Sequence, residues 1–218
     1  MGLLGKVLGT GIELMGAGVD ALYNGIVNVF QKREKQNLEY LAKYPFINKF
    51  IIREVKEIQN DMSFAEEFGI KKNFFVAYTQ KNSPIYLAYS EEGLGKCTYT
   101  LVDMAANEIA VLVAKNQRCS IEYRNVKCEL KSSNLFDKRK FTLDNSEYKI
   151  ESNDLGTEIK ICNRNRKMQI NKVASDLGMK WGEYVVGCNQ SDDSLFIILL
   201  GIAIGTILMR SANLLEAD

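Results

Sequence analysis

The side chains best suited to act as nucleophiles are five cysteines, and no histidine accompanies them. Histidine is the commonest general base and the commonest metal ligand, so a catalytic thiol or a metal ion would lack its usual partner. The cysteines form no Cys-x-x-Cys pair. Several of them alternate with polar residues, a pattern that favours buried, reduced thiols in an intracellular protein. They are Cys97, Cys119, Cys128, Cys162 and Cys188. We therefore predict no catalytic residue, no metal site and no cofactor, and we do not expect an enzyme.

Adjacent carboxylates occur at Glu66-Glu67, Glu91-Glu92 and Asp192-Asp193. Neighbouring side chains in a strand or loop usually diverge, so these pairs do not indicate an acid–base couple. Asp192 and Asp193 directly precede an apolar segment, where an N-cap and the helix dipole explain them. No glycine-rich phosphate loop is present, because Gly9-Thr10-Gly11 fits neither the P-loop nor the dinucleotide fingerprint.

Two basic clusters are candidates for binding anionic lipid head groups. The first, Lys138-Arg139-Lys140, enters a predicted strand, and the second, Arg164, Arg166 and Lys167, lies in an Asn-rich loop. Lys and Arg number 28 against 27 Asp and Glu, a balance that argues against nucleic acid as a partner. Solvated loops are the plainer interpretation of both clusters, and an anionic-lipid surface is the functional one.

Residues 1–33 are predicted to form a glycine-rich amphipathic helix with a broad apolar face. Glu13 and Asp20 on its polar stripe oppose binding to anionic lipid, whereas Lys32, Arg33 and Lys35 at its C-terminal end favour binding. Three roles remain open for this helix: membrane docking, a homo-oligomer interface, or packing onto the rest of the chain. The apolar residues expected to interact with a membrane are Leu4, Val7, Leu8, Ile12, Met15, Val19, Leu22 and Ile26.

The remaining chain divides at about residue 73. Residues 34–72 are expected to be a helical or irregular connector, with helix and strand both open for Phe46 to Gln59. From residue 73 to 218 short segments alternate between apolar and polar residues, as from Cys97 to Leu101, and turn residues separate them. This pattern predicts a mainly β domain, an antiparallel sandwich or barrel.

The end of the chain changes pattern again. Residues 195–209 are fifteen residues without a charge, shorter than the approximately 20 that a membrane span needs. A helix that is apolar on all sides is either buried in protein or lies in lipid. Gly201 and Gly205 have the G-x-x-x-G spacing. In lipid this spacing favours helix dimers, and in a protein core it allows a neighbouring element to approach the helix closely.

The order of elements is distinctive: many short strands, then Trp181-Gly182-Glu183-Tyr184, an acidic capping loop and an apolar helix. The segments Tyr99 to Asp103 and Glu108 to Val111 look like a strand, a turn and a strand, and Tyr148 to Ile161 looks like a second copy. This order resembles the tubby C-terminal-like superfamily, and within it the LURP-one-related and phospholipid-scramblase-like group. The resemblance covers about residues 74 to 208.

The resemblance implies a closed antiparallel β-barrel around a buried C-terminal helix, preceded here by a helical N-terminal region. Tubby proteins bind phosphoinositide head groups through Lys and Arg on the barrel, and scramblase-like members are associated with calcium near the C-terminal region, although no EF-hand pattern occurs here. We expect a non-enzymatic, cytoplasmic module, peripheral at the inner face of the membrane, with phospholipid as its partner. The alternative is a soluble scaffold or stress-response protein that self-associates through residues 1–33.

Overall fold

The computed structural model describes residues 39, 41–42, 44–55, 74–81, 83–93, 95–135, 138–153, 157–164, 166–173 and 183–215. The chain forms two compact units, Met1–Lys43 and Tyr44–Asp218, and all the elements below belong to the second. The predicted helix of residues 1–33 lies outside the described residues, as does most of the connector. Twelve strands are followed by a short 3-10 turn, Ser191–Asp193, and the helix α1, Ser194–Leu215.

The strands form one sheet in which every pair of neighbours is antiparallel. They are β1 (Asn48–Val55), β2 (Phe74–Thr79), β3 (Pro84–Gly93), β4 (Lys96–Asp103), β5 (Glu108–Lys115), β6 (Arg118–Tyr123), β7 (Val126–Leu135), β8 (Lys138–Asp144), β9 (Lys149–Ser152), β10 (Glu158–Asn163), β11 (Arg166–Val173) and β12 (Glu183–Cys188). The strand order is β8-β7-β6-β5-β4-β3-β2-β1-β12-β11-β10-β9. The two outermost strands, β8 and β9, contact each other, so the sheet is a nearly closed barrel. The predicted mainly β barrel is confirmed.

Strand β1 lies inside the segment 34–72, in the stretch for which the sequence left helix and strand open. It pairs with β2 on one side and with β12 on the other, so it joins the first and last parts of the sheet. The segment before it packs on the outside of the barrel, where the ring centroids of Tyr44 and Phe46 are 5.1 Å apart. A Cβ on Gly187 would lie 2.8 Å from Tyr44 Cε1 and 2.9 Å from Phe46 Cβ, so this contact requires glycine.

Alternation along each strand directs one set of side chains into the barrel. On β4 the inward residues Cys97, Tyr99 and Leu101 are buried, as the sequence pattern predicts. On β5 the inward residues are Ala110, Leu112 and Ala114, whose alanines leave space beside the helix. The barrel interior is therefore a core of side chains.

Helix α1 occupies that core. It contacts β1, β5, β6, β7, β11 and β12, and its side chains from Ile197 to Leu200 are fully buried. Burying each large apolar side chain contributes about 1.5–3 kcal/mol. A Cβ on Gly201 would meet the side chain of Ile52, and one on Gly205 would lie 3.0 Å from both Phe75 Cε1 and Tyr184 Cε2. The helix is thus buried in the barrel, and its two glycines let the wall approach.

Candidate functional site

The strand directions define two ends of the barrel. Helix α1 begins at the end of the barrel where β12 finishes. Because neighbouring strands are antiparallel, every second connection along the chain lies at this same end. We call this end the entry rim. Its described residues are 47, 80–81, 83, 104–107, 124–126, 145–148, 164 and 189–193.

The two predicted basic clusters lie at opposite ends. Lys138 is the first residue of β8, which starts at the end away from the entry rim, whereas Arg166 is the first residue of β11, which starts at the rim. Lys140, Arg164 and Lys167 are exposed, and the side chains of Lys138 and Arg139 lie outside the described part of the chain. The structure therefore does not bring the two predicted clusters together at one end of the barrel.

Arg166 is engaged with the start of α1. Its Nη1 donates to Asp193 Oδ1 at 3.1 Å and to Tyr148 Oη at 3.2 Å, and Tyr148 Oη donates to the same carboxylate oxygen at 2.9 Å. Arg166 is two residues before Met168 on β11, so both side chains lie on the inner face of the strand. This orientation places the guanidinium next to Asp193. The bond with Tyr148 raises the pKa of Arg166, and burial raises the pKa of Tyr148. Arg166 therefore anchors the helix to β9 and β11.

Asp193 directly precedes the first residue of α1, where the sequence placed it, and is the last residue of the 3-10 turn rather than an extended N-cap residue. Its side chain is only 3% exposed, and Oδ1 accepts hydrogen bonds from two other side chains. The second oxygen, Oδ2, is buried and has no hydrogen-bond partner among the residues that the structure describes. The position is thus the predicted one, but the described hydrogen bonds of the carboxylate are to side chains of the wall.

Aromatic rings line the inner side of the entry rim. Phe196, in the first turn of α1, stacks on Tyr123 with ring centroids 5.6 Å apart, and its centroid is 5.1 Å from that of Tyr148. Phe196 is 4% exposed, so the rings pack tightly behind the polar cluster. Together with Arg166 and Asp193, they fill the mouth of the barrel.

The cysteines are free thiols, and four of them are buried. The prediction of buried, reduced cysteines is confirmed for Cys97, Cys119, Cys128 and Cys188, while Cys162 is half-buried. Burial raises the pKa of Cys119 to about 12 and that of Cys128 to about 11. These thiols are protonated at neutral pH and are therefore poor nucleophiles.

The large apolar side chains that are exposed in the described part of the chain all lie at the entry rim. Ile47 is 76% exposed, Val126 47% and Met104 43%. Ile47 precedes β1, Met104 begins the β4–β5 turn, and Val126 follows the β6–β7 turn. Sequence reasoning missed all three as an exposed set, because an apolar residue at the end of a strand or in a turn carries no local signal that it faces solvent.

Hydrogen bonds fix the turn that carries Met104. Asp103 Oδ1 accepts from the backbone N–H groups of Ala105 and Asn107, each at 2.9 Å. Bonds from Asn107 hold the pKa of Asp103 below its usual range. Ala106 has a left-handed φ of 64°, which closes the turn. The Asp103 carboxylate thus presents Met104 to solvent, and the Asp…Asn spacing is a sequence signal that could have indicated this turn.

A shallow, open groove lies beside Ile47 on the same rim. It is lined by the start of β1 and by the β2–β3 turn, including Lys81 and Ser83. Thr79 Oγ1 accepts from the backbone N–H groups of Lys81 and Ser83, each at 3.3 Å, which shapes the turn. The groove adds a basic side chain and polar groups next to the most exposed apolar residue.

The predicted membrane-interacting residues from Leu4 to Ile26 lie outside the described residues. Within the ranges that the structure describes, no helix is both long and apolar enough to span a bilayer. The same ranges contain no group of three or more His, Cys, Asp or Glu side chains that could hold a metal ion.

The fold is that of a nearly closed, twelve-stranded antiparallel barrel around a C-terminal helix. No protein-family model matches the sequence, and no curated protein matches it. Among solved structures, the chain is similar to the X-ray structure of an Arabidopsis thaliana protein of the LURP-one/tubby-like type, with 12% identity and a TM-score of 0.41. The match covers 78% of this chain and 95% of that one. A similarity of this size assigns neither a family nor a function.

Proposed function

We propose that this chain is a non-enzymatic binding module that works at a membrane and recognises phospholipid on its outer surface. The observation that carries the proposal is the contrast between a barrel interior filled by α1 and an entry rim that exposes Ile47, Met104 and Val126. A packed core has no room for a ligand. Exposed apolar side chains next to basic ones are typical of surfaces that dock on lipid head groups.

Several features support a non-enzymatic role. The sequence contains no histidine, and the best nucleophiles are buried thiols whose pKa values are raised. Arg166 and Asp193 are the charged groups that converge at the barrel mouth, and they bond to each other and to Tyr148. This arrangement stabilises the position of α1 and leaves no nucleophile–base pair in the cluster.

We also propose that the chain belongs with the LURP-one-related and phospholipid-scramblase-like group of tubby C-terminal-like proteins. The order of the elements supports this, since twelve antiparallel strands lead through a short 3-10 turn into a helix buried in the barrel. The location that follows is cytoplasmic and peripheral, at the inner face of the membrane.

Two alternative roles are proposed for residues 1–33. In the membrane module, the apolar face with Leu4, Val7 and Leu8 adds to lipid binding. In the alternative, the same face joins two copies of the chain into a self-associating scaffold. Glu13 and Asp20 on the polar stripe do not impede such a scaffold.

Co-sedimentation of the full chain with neutral and anionic vesicles tests the proposal. The chain is expected to pellet with anionic vesicles, and a Leu4→Gln, Val7→Gln, Leu8→Gln variant is expected to pellet less while its mass in light scattering stays monomeric. A scaffold would instead change its mass on substitution and ignore lipid. If the full chain pellets with neither kind of vesicle, the membrane function is wrong.

A further inference from the structure

We propose that the entry rim is the face that docks on the membrane, with Ile47, Met104 and Val126 entering the head-group region of an anionic bilayer. Lys81, Arg124 and Arg164 contact lipid phosphates around them. This inference rests on the proposed function and adds the surface, the orientation of the barrel and the sign of the lipid charge.

The positions of the three apolar residues favour a planar partner. Along the strand order, Ile47 precedes β1, Met104 lies between β4 and β5, and Val126 is the first residue of β7. Neighbouring strands are about 4.8 Å apart, so Met104 and Val126 are separated by roughly 10 Å along the rim, and Ile47 lies further round. Side chains spread along the rim of a barrel meet a flat surface together.

The turns on this arc are basic. Residues 80–83, 104–107 and 124–125 include Lys81 and Arg124 and contain no Asp or Glu. Both cationic residues are exposed, as is Arg164 on the β10–β11 turn. Of the acidic groups that flank these turns, Asp103 bonds within its own turn and Glu122 lies 3.5 Å from Lys127, whereas Glu108, the first residue of β5, is exposed. Two further exposed charged residues flank the arc, Arg164 on the β10–β11 turn at one side and Glu147 on the β8–β9 turn at the other.

The pattern suits a bilayer better than a second protein chain. A stable protein interface has a continuous apolar centre with a polar rim. Among the described residues of this rim, single exposed apolar residues alternate with polar turns. Interfacial membrane binding needs only that apolar side chains reach the head-group and acyl boundary while basic ones stay at phosphate depth.

The end of the barrel opposite the entry rim is the competing candidate for the docking face. Lys138-Arg139-Lys140 lies there, and a barrel that docks through one end keeps the other away from the same membrane. Three exposed basic residues at that end, Lys96, Lys115 and Arg118, form a control matched in charge to the rim residues.

Vesicle binding by full-length variants decides between the two ends. The apolar variant carries Ile47→Thr, Met104→Gln and Val126→Thr. The charge variant carries Lys81→Gln, Arg124→Asn and Arg164→Asn, where asparagine suits the left-handed φ of 47° and 46° at the two arginines. The control carries Lys96→Gln, Lys115→Gln and Arg118→Gln, with the same change in net charge. A further variant replaces Lys138, Arg139 and Lys140 by glutamine.

Partition into phosphatidylserine vesicles is expected to fall about tenfold or more for both rim variants, because the charge variant loses three contacts with lipid phosphates and the apolar variant loses three side chains at the head-group boundary. The control and the far-end variant are expected to bind like the wild type. Circular dichroism and thermal unfolding check the fold of each variant. If a triple variant does not fold, Met104→Gln alone, in an exposed turn, is expected to lower partition by about twofold to threefold.

Two results overturn the inference in different ways. If the wild type binds and the rim variants bind equally well, or if the far-end variant loses binding instead, the docking face is wrong and the membrane function stands. If the wild type does not bind either kind of vesicle, the proposed function fails and the docking face fails with it.

Discussion

The interior of the barrel and its entry rim use apolar residues in opposite ways. Inside, the side chains of α1 from Ile197 to Leu200 are fully buried against the wall. At the rim, Ile47 is 76% exposed. The comparison supports the proposal that this chain binds through its outer surface, because the helix of the same chain already occupies the space that an internal ligand would take.

Arg166 and Asp193 mark the boundary between the two regions. Behind them lie Phe196 and the packed core, and in front of them lie the exposed turns. If the comparison is right, substitutions inside should change stability and leave lipid binding by the folded protein unchanged. Substitutions at the rim should reduce lipid binding and leave the stability unchanged.

Overpacking the interior is expected to have the greatest effect on stability. Gly201→Val places a branched side chain where even a Cβ would meet Ile52 and lie 3.0 Å from Val186 Cγ1. The free energy of unfolding should fall by about 3 kcal/mol, measured by urea denaturation. Gly93→Ala is the control, since a Cβ there has ordinary contacts at 3.6 Å or more, and its stability should change little. Equal stability of Gly201→Val and the wild type would contradict a helix enclosed by the wall.

Removing the arginine at the boundary should have an intermediate effect. Arg166→Met leaves the carboxylate of Asp193, which is 3% exposed, without its positive partner. Leaving a buried carboxylate without its partner destabilises the fold, and the 39% exposure of the Arg166 side chain keeps the loss smaller than that of Gly201→Val, measured by urea denaturation. Lys167→Met is the matched control, because Lys167 is the exposed neighbour on the same strand. A loss of lipid binding at unchanged stability would mean that Arg166 belongs to the docking surface instead.

The buried thiols predict a smaller effect that depends on pH. The pKa of Cys119 is about 12 in the folded chain against 9.0 for an ordinary thiol, so the unfolded chain loses its proton first as the pH rises. The stability is therefore complete below pH 9 and declines as the pH rises toward 12. From pH 8 to pH 9.5 the free energy of unfolding should fall by about 1 kcal/mol.

Denaturation of wild type and Cys119→Ala at several pH values measures this decline. The variant should lose less stability than the wild type over the same interval, because one titrating thiol is gone. An identical decline in both proteins would show that Cys119 is not responsible for it.

The sequence predicts the strands and the buried helix well, because both depend on local periodicity. Period-two alternation identifies β4 through Cys97, Tyr99 and Leu101, and an uncharged stretch identifies α1. On β5 the same rule does not select the inner face, since Ile109 and Val111 alternate with Ala110 and Leu112 and all are apolar. The small residues face inward because α1 needs the space, which is a property of the tertiary structure.

The candidate site was less accessible to sequence reasoning. Ile47, Met104 and Val126 are far apart in the chain, and only the complete strand order brings them to one end. The same order separates Lys138 from Arg164, which the sequence treated as equivalent lipid candidates. Arg166 could have been recognised as inward-facing by counting back two residues from Met168, but its partner Asp193 depends on the position of α1.

Hydrogen–deuterium exchange of the full chain, with and without phosphatidylserine vesicles, tests the central contrast most directly. The turns at 80–83, 104–107 and 124–127 should become protected on vesicles, while the amides of α1 should exchange slowly and at the same rate in both conditions. The opposite pattern, faster exchange in α1 or protection confined to residues 138–140, would contradict a closed interior that docks through its entry rim.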